Sequence, residues 1–270
     1  MIHRFPFLLG ILTALFGIFL FVVHTISPDH TRPSVIKQAL PAHALPNAPV
    51  PTPPSAMATL SFDDGYRSIY DYAIPILNAA GLKSTQYIIT HTFADPKYMT
   101  KQQVQELYRG GHEIGAHSQT HPNLTSLSFE KAEQEIEGSK KELEALGIPV
   151  STFAYPVGKY NQQIIQLVKG AGFIAARTTH AGYDTSETNP YELVRYQVQW
   201  NTTFPQVKHW IDGAVQQKTW LILLFHRIDE DDEPTSSRHE LLQQIVDYLV
   251  QQKIPVITLQ EGIKILQTNK

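Results

Sequence analysis

From Ala56 onward, the sequence alternates between runs typical of β-strands and runs typical of helices. Because parallel strands need long crossover connections, such alternation predicts a parallel sheet with helices packed around it. Seven or eight strands favour a closed or nearly closed barrel over an open sheet, although periodicity alone does not separate the two. The pattern consists of MATLSF and SIYDYAIPILNAAG, STQYIIT and TKQQVQELYRGG, HEIGAHS and SFEKAEQEIEGSKKELEALG, STFAYP and NQQIIQLVKGAG, then FIAAR, LVRYQV, WLILLFH and IPVITL, with helices expected near 204–217 and 237–252.

The N-terminal segment has a different composition. Residues 5–23 carry no charge, and as a helix they would reach about 28 Å, which is close to the thickness of a bilayer core. Arg4 before this run and Asp29 after it favour a cytoplasmic N-terminus with the rest of the chain outside. A cleaved signal peptide is the alternative interpretation, and it would make the protein secreted. Either way, we expect the alternating region to lie in the periplasm or outside the cell, held at the cytoplasmic membrane by a single span if the segment stays uncleaved.

Three regions follow from these patterns. Residues 1–24 are predicted to be a membrane anchor or signal sequence, 25–55 a linker rich in proline and alanine, and 56–270 one folded domain. The formal charge of −3 comes without a basic cluster, which argues against a nucleic-acid partner. The chain has no cysteine, so any metal site must use His, Asp or Glu.

Polar side chains lie where three of the predicted strands end. Asp63 and Asp64 follow the first strand, His117 and His121 the third, and His226 the late strand WLILLFH. Carboxyl ends of parallel strands share one rim, so these side chains are expected to meet. Two histidines on one helical turn plus one Asp give the three-ligand set of catalytic zinc, with one position left open. Adjacent carboxylates point in different directions, so one would bind the ion and the other would handle protons.

These residues resemble the motifs of the polysaccharide deacetylases of carbohydrate esterase family 4, which share the NodB homology domain. SFDDG, HSQTHP, FAYPVG and LLFH match the family's first, second, third and last motifs in order, and the resemblance covers about 59–259. It implies an α/β fold with a distorted (β/α)7-type barrel. It also implies hydrolysis of a carbon–nitrogen bond that is not a peptide bond, the N-acetyl amide of a sugar polymer.

The resemblance also assigns roles. Asp63 would be the catalytic base and His226 the general acid. Asp64, His117 and His121 would bind a divalent metal ion, zinc first, with cobalt, nickel and iron as alternatives.

The third motif is expected to form the oxyanion and substrate loop, with the main-chain N–H of Val157 as a donor. This loop comprises Tyr155, Pro156, Val157 and Gly158. The common form of the motif has an arginine that braces the catalytic Asp, and Ala154 stands there in this chain. We hypothesise that Arg195, on another predicted strand, supplies the missing charge; a plain surface position is the alternative.

The family's fourth motif, which orients the acid histidine, is not clearly legible. Asp184, Asp229 and Trp200 are candidates in that region, and Trp200 fits a plain core position equally well. Leu224 is a candidate for the wall of the acetyl pocket, although a plain buried position in the strand is the more common role of such a leucine.

The leading hypothesis is a metal-dependent deacetylase that acts on an N-acetylated polysaccharide outside the cytoplasm and releases acetate. A carbohydrate-binding barrel that has lost turnover is one alternative, supported by Ala154, and a small-molecule amidohydrolase is another. The sequence leaves open whether the polymer is chitin-like, peptidoglycan or a secreted glucosamine polymer.

Overall fold

The computed structural model describes residues 55–229 and 233–268. The predicted anchor or signal sequence, nearly all of the predicted linker, and the acidic residues 230–232 lie outside the described residues. Within them, no helix has the length and apolar character needed to cross a membrane. The strands are β1 Met57–Phe62, β2 Thr85–Ile88, β3 Glu113–Ala116, β4 Thr152–Ala154, β5 Ala175–Arg177, β6 Tyr196–Gln197, β7 Trp220–Phe225, β8 Arg227–Ile228 and β9 Ser236–Ser237.

Helices separate most of these strands, as the alternation predicts. Capping residues define several of their ends: the side chain of Ser128 accepts from the N–H of Lys131, and Thr100 and Gln103 form a reciprocal capping box. The helices are α1 Ile74–Ala79, α2 Lys101–Arg109, α3 Phe129–Glu144, α4 Gln162–Gly170, α5 Phe204–Gln217, α6 His239–Gln251 and α7 Leu259–Thr268. A π-helical turn, Ile69–Ala73, precedes α1.

Seven strands form one parallel sheet, in the order β5-β4-β3-β2-β1-β7-β6. The sheet is a parallel half-barrel, and the segment before β6 reaches back to β5, where Leu193 forms a bridge with Arg177. The N–H of Leu193 donates to the carbonyl of Ala176 at 3.1 Å. The predicted parallel α/β architecture is therefore confirmed. Two predicted strands are shorter than expected. LVRYQV forms the two-residue strand β6 and the bridge at Leu193, and IPVITL forms a single bridge between Ala58 and Val256.

The two faces of the sheet bury different side chains because successive residues of a strand alternate. On one face, Leu60, Phe62 and their neighbours pack against the helices in the larger apolar cluster. On the other face, Tyr87 and Trp220 form a smaller cluster with residues of α7. We call the face that carries Tyr87 and Trp220 the interior face. Polar side chains of β1 also point to it, since the Nε1–H of Trp220 donates to Oγ1 of Thr59 at 2.9 Å. The alternation therefore directs Asp63, just past β1, toward the interior.

Candidate active site

The polar residues expected at one rim do meet there. The N–H of Asp63 donates to the carbonyl of Phe225 at 2.9 Å, so Asp63 is level with His226 at the end of the neighbouring β7. On the other side, the N–H of His117 donates to the carbonyl of Ile88 at 3.0 Å. Asp63 thus lies between the strand that leads to His226 and the strands that lead to the histidine pair.

Asp64, His117 and His121 bring one ligand atom each within 4.8 Å of one another. Nε2 of His117 is 3.5 Å and Nε2 of His121 is 3.6 Å from Oδ1 of Asp64. Bonds of about 2.0–2.2 Å to a tetrahedral zinc ion would separate ligand atoms by about 3.4 Å. Oδ1 of Asp64 is buried and has no hydrogen-bond partner among the described residues. The donor set, its spacing and this unsatisfied oxygen all fit a divalent cation.

The ring of His117 is held in the tautomer that metal binding requires. Nδ1–H donates to the carbonyl of Ala154 at 2.8 Å, which leaves the lone pair of Nε2 directed at Asp64. Burial lowers the pKa of His117 to about 3, so the ring is neutral near pH 7. A neutral imidazole is the form that ligates a metal.

The segment between the two histidines differs from the expected helical turn, and that prediction is wrong. Ser118 and His121 have φ values of 63° and 62°, which interrupt any helix. The N–H of His121 donates to Oγ of Ser118 at 2.9 Å. Glu135 of α3 then fixes the residues in between, because its carboxylate accepts from the N–H groups of Gln119 and Thr120, both at 2.9 Å, and from Oγ1 of Thr120 at 2.6 Å. The Nε2 atoms of His117 and His121 therefore both face Asp64 because α3 holds the loop between them.

Asp64 lies in a strained and electrostatically costly position. Its φ of 71° is uncommon for a residue with a side chain, and it turns the carboxylate away from the direction of Asp63. Burial, together with the neighbouring Asp63, raises the pKa of Asp64 to about 7. A cation between Asp64 and the histidines would offset both the burial of the charge and the repulsion from Asp63.

Arg177, which we did not predict, is the residue that pairs with Asp63. Its Nη2 donates to Oδ2 of Asp63, and its Nη1 donates to the carbonyl of Thr178 at 2.9 Å. The guanidinium also lies over the ring of Tyr87, 5.4 Å from the centroid. Burial raises the pKa of Asp63, but Arg177, and to a lesser extent His117, bring it below its usual value. Asp63 is therefore held ionised.

Arg195 does not take the position that we hypothesised for it. Its Nη2 donates to Oε1 of Gln197 at 3.0 Å, while Arg177 occupies the place beside Asp63. The sequence signal for Arg177 was present: it is a charged residue that ends the apolar strand FIAAR.

His226 lies at the rim, and burial lowers its pKa while Asp63 opposes this shift. Nδ1 of the ring is buried and has no hydrogen-bond partner within 55–229 and 233–268. Asp184 does not orient this ring, because it forms a bridge with Trp220 at the start of β7. Trp220 is six residues before His226, which is about 20 Å along an extended strand at about 3.3 Å per residue. Asp229 forms an ion pair with Arg227 at 2.8 Å instead.

The third-motif loop follows β4 at the same rim. The N–H of Tyr155 donates to the carbonyl of Arg177 at 3.1 Å, so the loop starts beside the residue that pairs with Asp63. Val157 has a φ of 50°, and its side chain is 53% exposed. Gly158 has a φ of 67°, and a Cβ atom there would collide with Thr179. The loop is thus held in a strained conformation, which is typical of a functional position.

Two further predicted residues have clear surroundings. Trp200 is 45% exposed and lines a surface cleft with Arg238 and Leu241, which excludes the core position considered for it. Leu224 is buried in β7 and pairs with Ser61 of β1. The roles of both residues remain predictions.

A parallel half-barrel with an Asp-His-His cluster and a braced carboxylate at its rim is an arrangement that could hold a divalent ion beside a proton acceptor. Residues 51–176 match the sequence model of the family described as polysaccharide deacetylase. This match makes the chain similar to that family over slightly less than half of its length.

Three known proteins show the same similarity. A putative polysaccharide deacetylase, YxkH, of Bacillus subtilis is 29% identical over 54% of this chain and 53% of its own length. The poly-beta-1,6-N-acetyl-D-glucosamine N-deacetylase of Staphylococcus epidermidis is 25% identical over 61% of this chain and 62% of its own. The structure of the deacetylase PplD of Streptococcus pyogenes, in complex with acetate, aligns with a TM-score of 0.54 and 26% identity, covering 57% of this chain and 69% of that one. The chain spans about half the length of the first of these relatives.

Proposed function

We propose that the protein is a metal-dependent N-deacetylase that removes acetyl groups from N-acetylglucosamine-type residues of a polysaccharide. The single observation that carries this proposal is the position of Asp63, ionised by Arg177, between the Asp64-His117-His121 cluster and His226. A carbohydrate-binding barrel would need neither a braced base nor a histidine on its far side. The name of the staphylococcal relative supports an N-acetylated glucosamine polymer as the substrate class.

Asp64, His117 and His121 would hold a divalent ion, zinc in our proposal. When bound, this ion polarises the acetyl carbonyl and lowers the pKa of water. Asp63 accepts a proton from the attacking water, through Oδ1, which is buried and has no partner among the described residues. The N–H of Val157 donates to the oxyanion that develops on the carbonyl oxygen.

His226 donates a proton to the amide nitrogen as the carbon–nitrogen bond breaks. A proton is required there because an amide anion is a very poor leaving group. Burial disfavours the protonated form of His226 that supplies it, and the nearby ionised Asp63 favours that form. The products are acetate and a free amine on the sugar. The placement of His226 and Asp63 on neighbouring strands lets one group remove a proton while the other supplies one.

We also propose that the domain works outside the cytoplasm, with residues 1–24 as its anchor or signal sequence. The support is the uncharged run at 5–23 and the proline-rich segment that follows it. Protease treatment of intact spheroplasts should cleave the domain, while a cytoplasmic marker stays protected. Protection of the domain would refute this location.

The activity is tested by acetate release from chitin oligomers, peptidoglycan and poly-β-1,6-N-acetylglucosamine. We expect release by the native protein from at least one of them, and none by Asp63→Asn or by the protein treated with a chelator. Equal binding of the polymers without acetate release would favour the binding-protein alternative. Activity on small cyclic amides alone would favour the amidohydrolase.

A further inference from the structure

The side chain of Gln119, in the loop between His117 and His121, lies against a glycine in the middle of α3. This glycine, Gly138, has a helical backbone conformation that any residue could adopt. Glycine inside a helix is less favourable than alanine, so the backbone alone gives no reason for its presence. A Cβ atom at this position would lie 2.5 Å from Cδ, 2.6 Å from Nε2 and 2.7 Å from Oε1 of Gln119. The missing side chain of Gly138 therefore makes the space that the Gln119 amide occupies.

The amide of Gln119 is held by hydrogen bonds as well as by packing. The residue is buried, and Nε2 of its amide donates to Oε1 of Glu142 at 2.7 Å and lies 3.2 Å from Nε2 of His91. Glu142 follows Gly138 by four residues, so both lie on the same face of α3. An added Cβ atom at Gly138 would push the amide away from Glu142. The steric contact and the hydrogen bond thus act on the same group.

The main chain of Gln119 connects the histidine loop to two other elements. Its N–H donates to Oε2 of Glu135, on α3, at 2.9 Å, and its carbonyl accepts from the N–H of His91, in the turn after β2, at 2.9 Å. Between His117 and His121 the chain forms neither helix nor strand. The path of the loop is therefore determined by contacts with its neighbours, and Gln119 makes contacts through both its main chain and its side chain.

We propose that Gln119, seated against Gly138, is a positioning residue that directs the two histidine ligands toward Asp64. The Nε2 atoms of His117 and His121 are 3.5 Å and 3.6 Å from Oδ1 of Asp64. Gln119 is two residues from each histidine, so a shift of its main chain moves both rings. This inference rests on the proposed function, because it concerns the ion that these three ligands would hold. It adds that the affinity for the ion depends on a contact between a loop and a helix in which no ligand takes part.

The test is a double-mutant cycle with Gly138→Ala and Gln119→Ala, measured as zinc affinity in a chelator competition. Each single substitution should weaken zinc binding about tenfold, as is usual for residues that orient metal ligands. The double variant should bind zinc no more weakly than Gln119→Ala, because the added Cβ atom then has no amide to displace. Gly170→Ala is the matched control and should bind zinc as the native protein does. Gly170 is the last residue of α4, and an added Cβ atom there would contact nothing within 4 Å beyond its own helix backbone.

Two further measurements separate this positioning role from a general effect on folding. In the metal-free proteins, Gly138→Ala should raise the urea midpoint of unfolding in the Gln119→Ala background, as alanine in a helix normally does, but not in the native background. The absorption bands of the cobalt-loaded protein report the arrangement of the ligands. Gly138→Ala should shift these bands, and Gly170→Ala should not.

Zinc affinities that combine additively in the cycle, to within about twofold, would overturn the inference. Native-like zinc affinity in Gly138→Ala would overturn it as well. If Gly138→Ala does not fold, the comparison of Gln119→Ala with the native protein replaces the cycle, and equal zinc affinities would then overturn the inference. A native protein that binds no divalent ion would instead refute the metal site of the proposed function.

Discussion

Replacing Arg177 with methionine tests the ion pair on which the proposed mechanism depends. The substitution keeps a long apolar side chain but removes the guanidinium from Asp63. Oδ1 of Asp63 has no partner among the described residues, and Nε2 of His117 is 3.8 Å from Oδ2. The carboxylate, only 4% exposed, would then be buried without compensation. Breaking a buried pair in this way costs about 3–5 kcal/mol of folding free energy.

A double-mutant cycle separates this pairing from simple loss of packing. Asp63→Asn in the Arg177→Met background removes the stranded charge, so the double variant should regain much of the lost stability. We expect a coupling energy of about 2–3 kcal/mol, measured by urea unfolding of the chelated proteins. Arg195→Met is the matched control, and it should cost about 1 kcal/mol because Arg195 bonds to the neutral Gln197.

The activity of the same variants gives a second measurement. Arg177→Met should lower kcat for acetate release, and Arg195→Met should lower it much less. A coupling energy below about 0.5 kcal/mol, or equal loss of kcat in both arginine variants, would refute the assignment of Arg177 as the group that positions and ionises Asp63.

Three other predictions concern pH, the histidine loop and the metal. Burial lowers the pKa of His112 to about 4, and Nδ1 accepts from the N–H of Ser84 at 3.2 Å. The unfolded chain therefore binds more protons than the folded one between pH 4 and 6.5. Protonation of His112 should lower the free energy of unfolding by about 3 kcal/mol as the pH falls through this window. In His112→Asn, the free energy of unfolding measured in urea should depend less on pH there than in the native protein. Glu135→Gln should weaken zinc binding about tenfold in a chelator competition, with Glu133→Gln on the same helix unchanged; equal affinities would contradict the role of Glu135 in the loop. Removing the metal should abolish acetate release, and added zinc should restore it in the native protein but not in Asp64→Ala; activity that survives chelation would contradict metal dependence.

The sequence predicts the fold and the location of the site because both follow from periodicity. Alternation of strands and helices requires parallel pairing, and parallel pairing brings the carboxyl ends of all strands to one rim. Asp64, His117 and His121 could therefore be grouped without knowledge of strand order. The helix expected near 204–217 agrees with α5, since Thr203 caps it and Pro205 lies in its first turn.

The conformation of the loop between the histidines could not be obtained in this way. Two residues four apart fit a helical turn, and nothing local in HSQTH excludes it. The positive φ values of Ser118 and His121 are held by Glu135, which lies on a separate helix. A contact between elements decided the local conformation, and single-sequence periodicity carries no information about such contacts.

Strand register explains how Arg177 can replace the arginine that the common third motif carries at the position of Ala154. Ala154, where the family's common motif has an arginine, pairs directly with Arg177 in the β4–β5 ladder. Neighbouring strands are about 4.8 Å apart, so moving the charge from one strand to the next keeps it at the same height on the rim. An arginine side chain is long enough to cover this distance, and the small Ala154, fully buried, leaves room for it. Its guanidinium then reaches Asp63 from β5. Because register pairs these two positions, a motif that lacks its arginine is compatible with an intact base, and the absence of an arginine at 154 is not by itself a sign of lost catalysis.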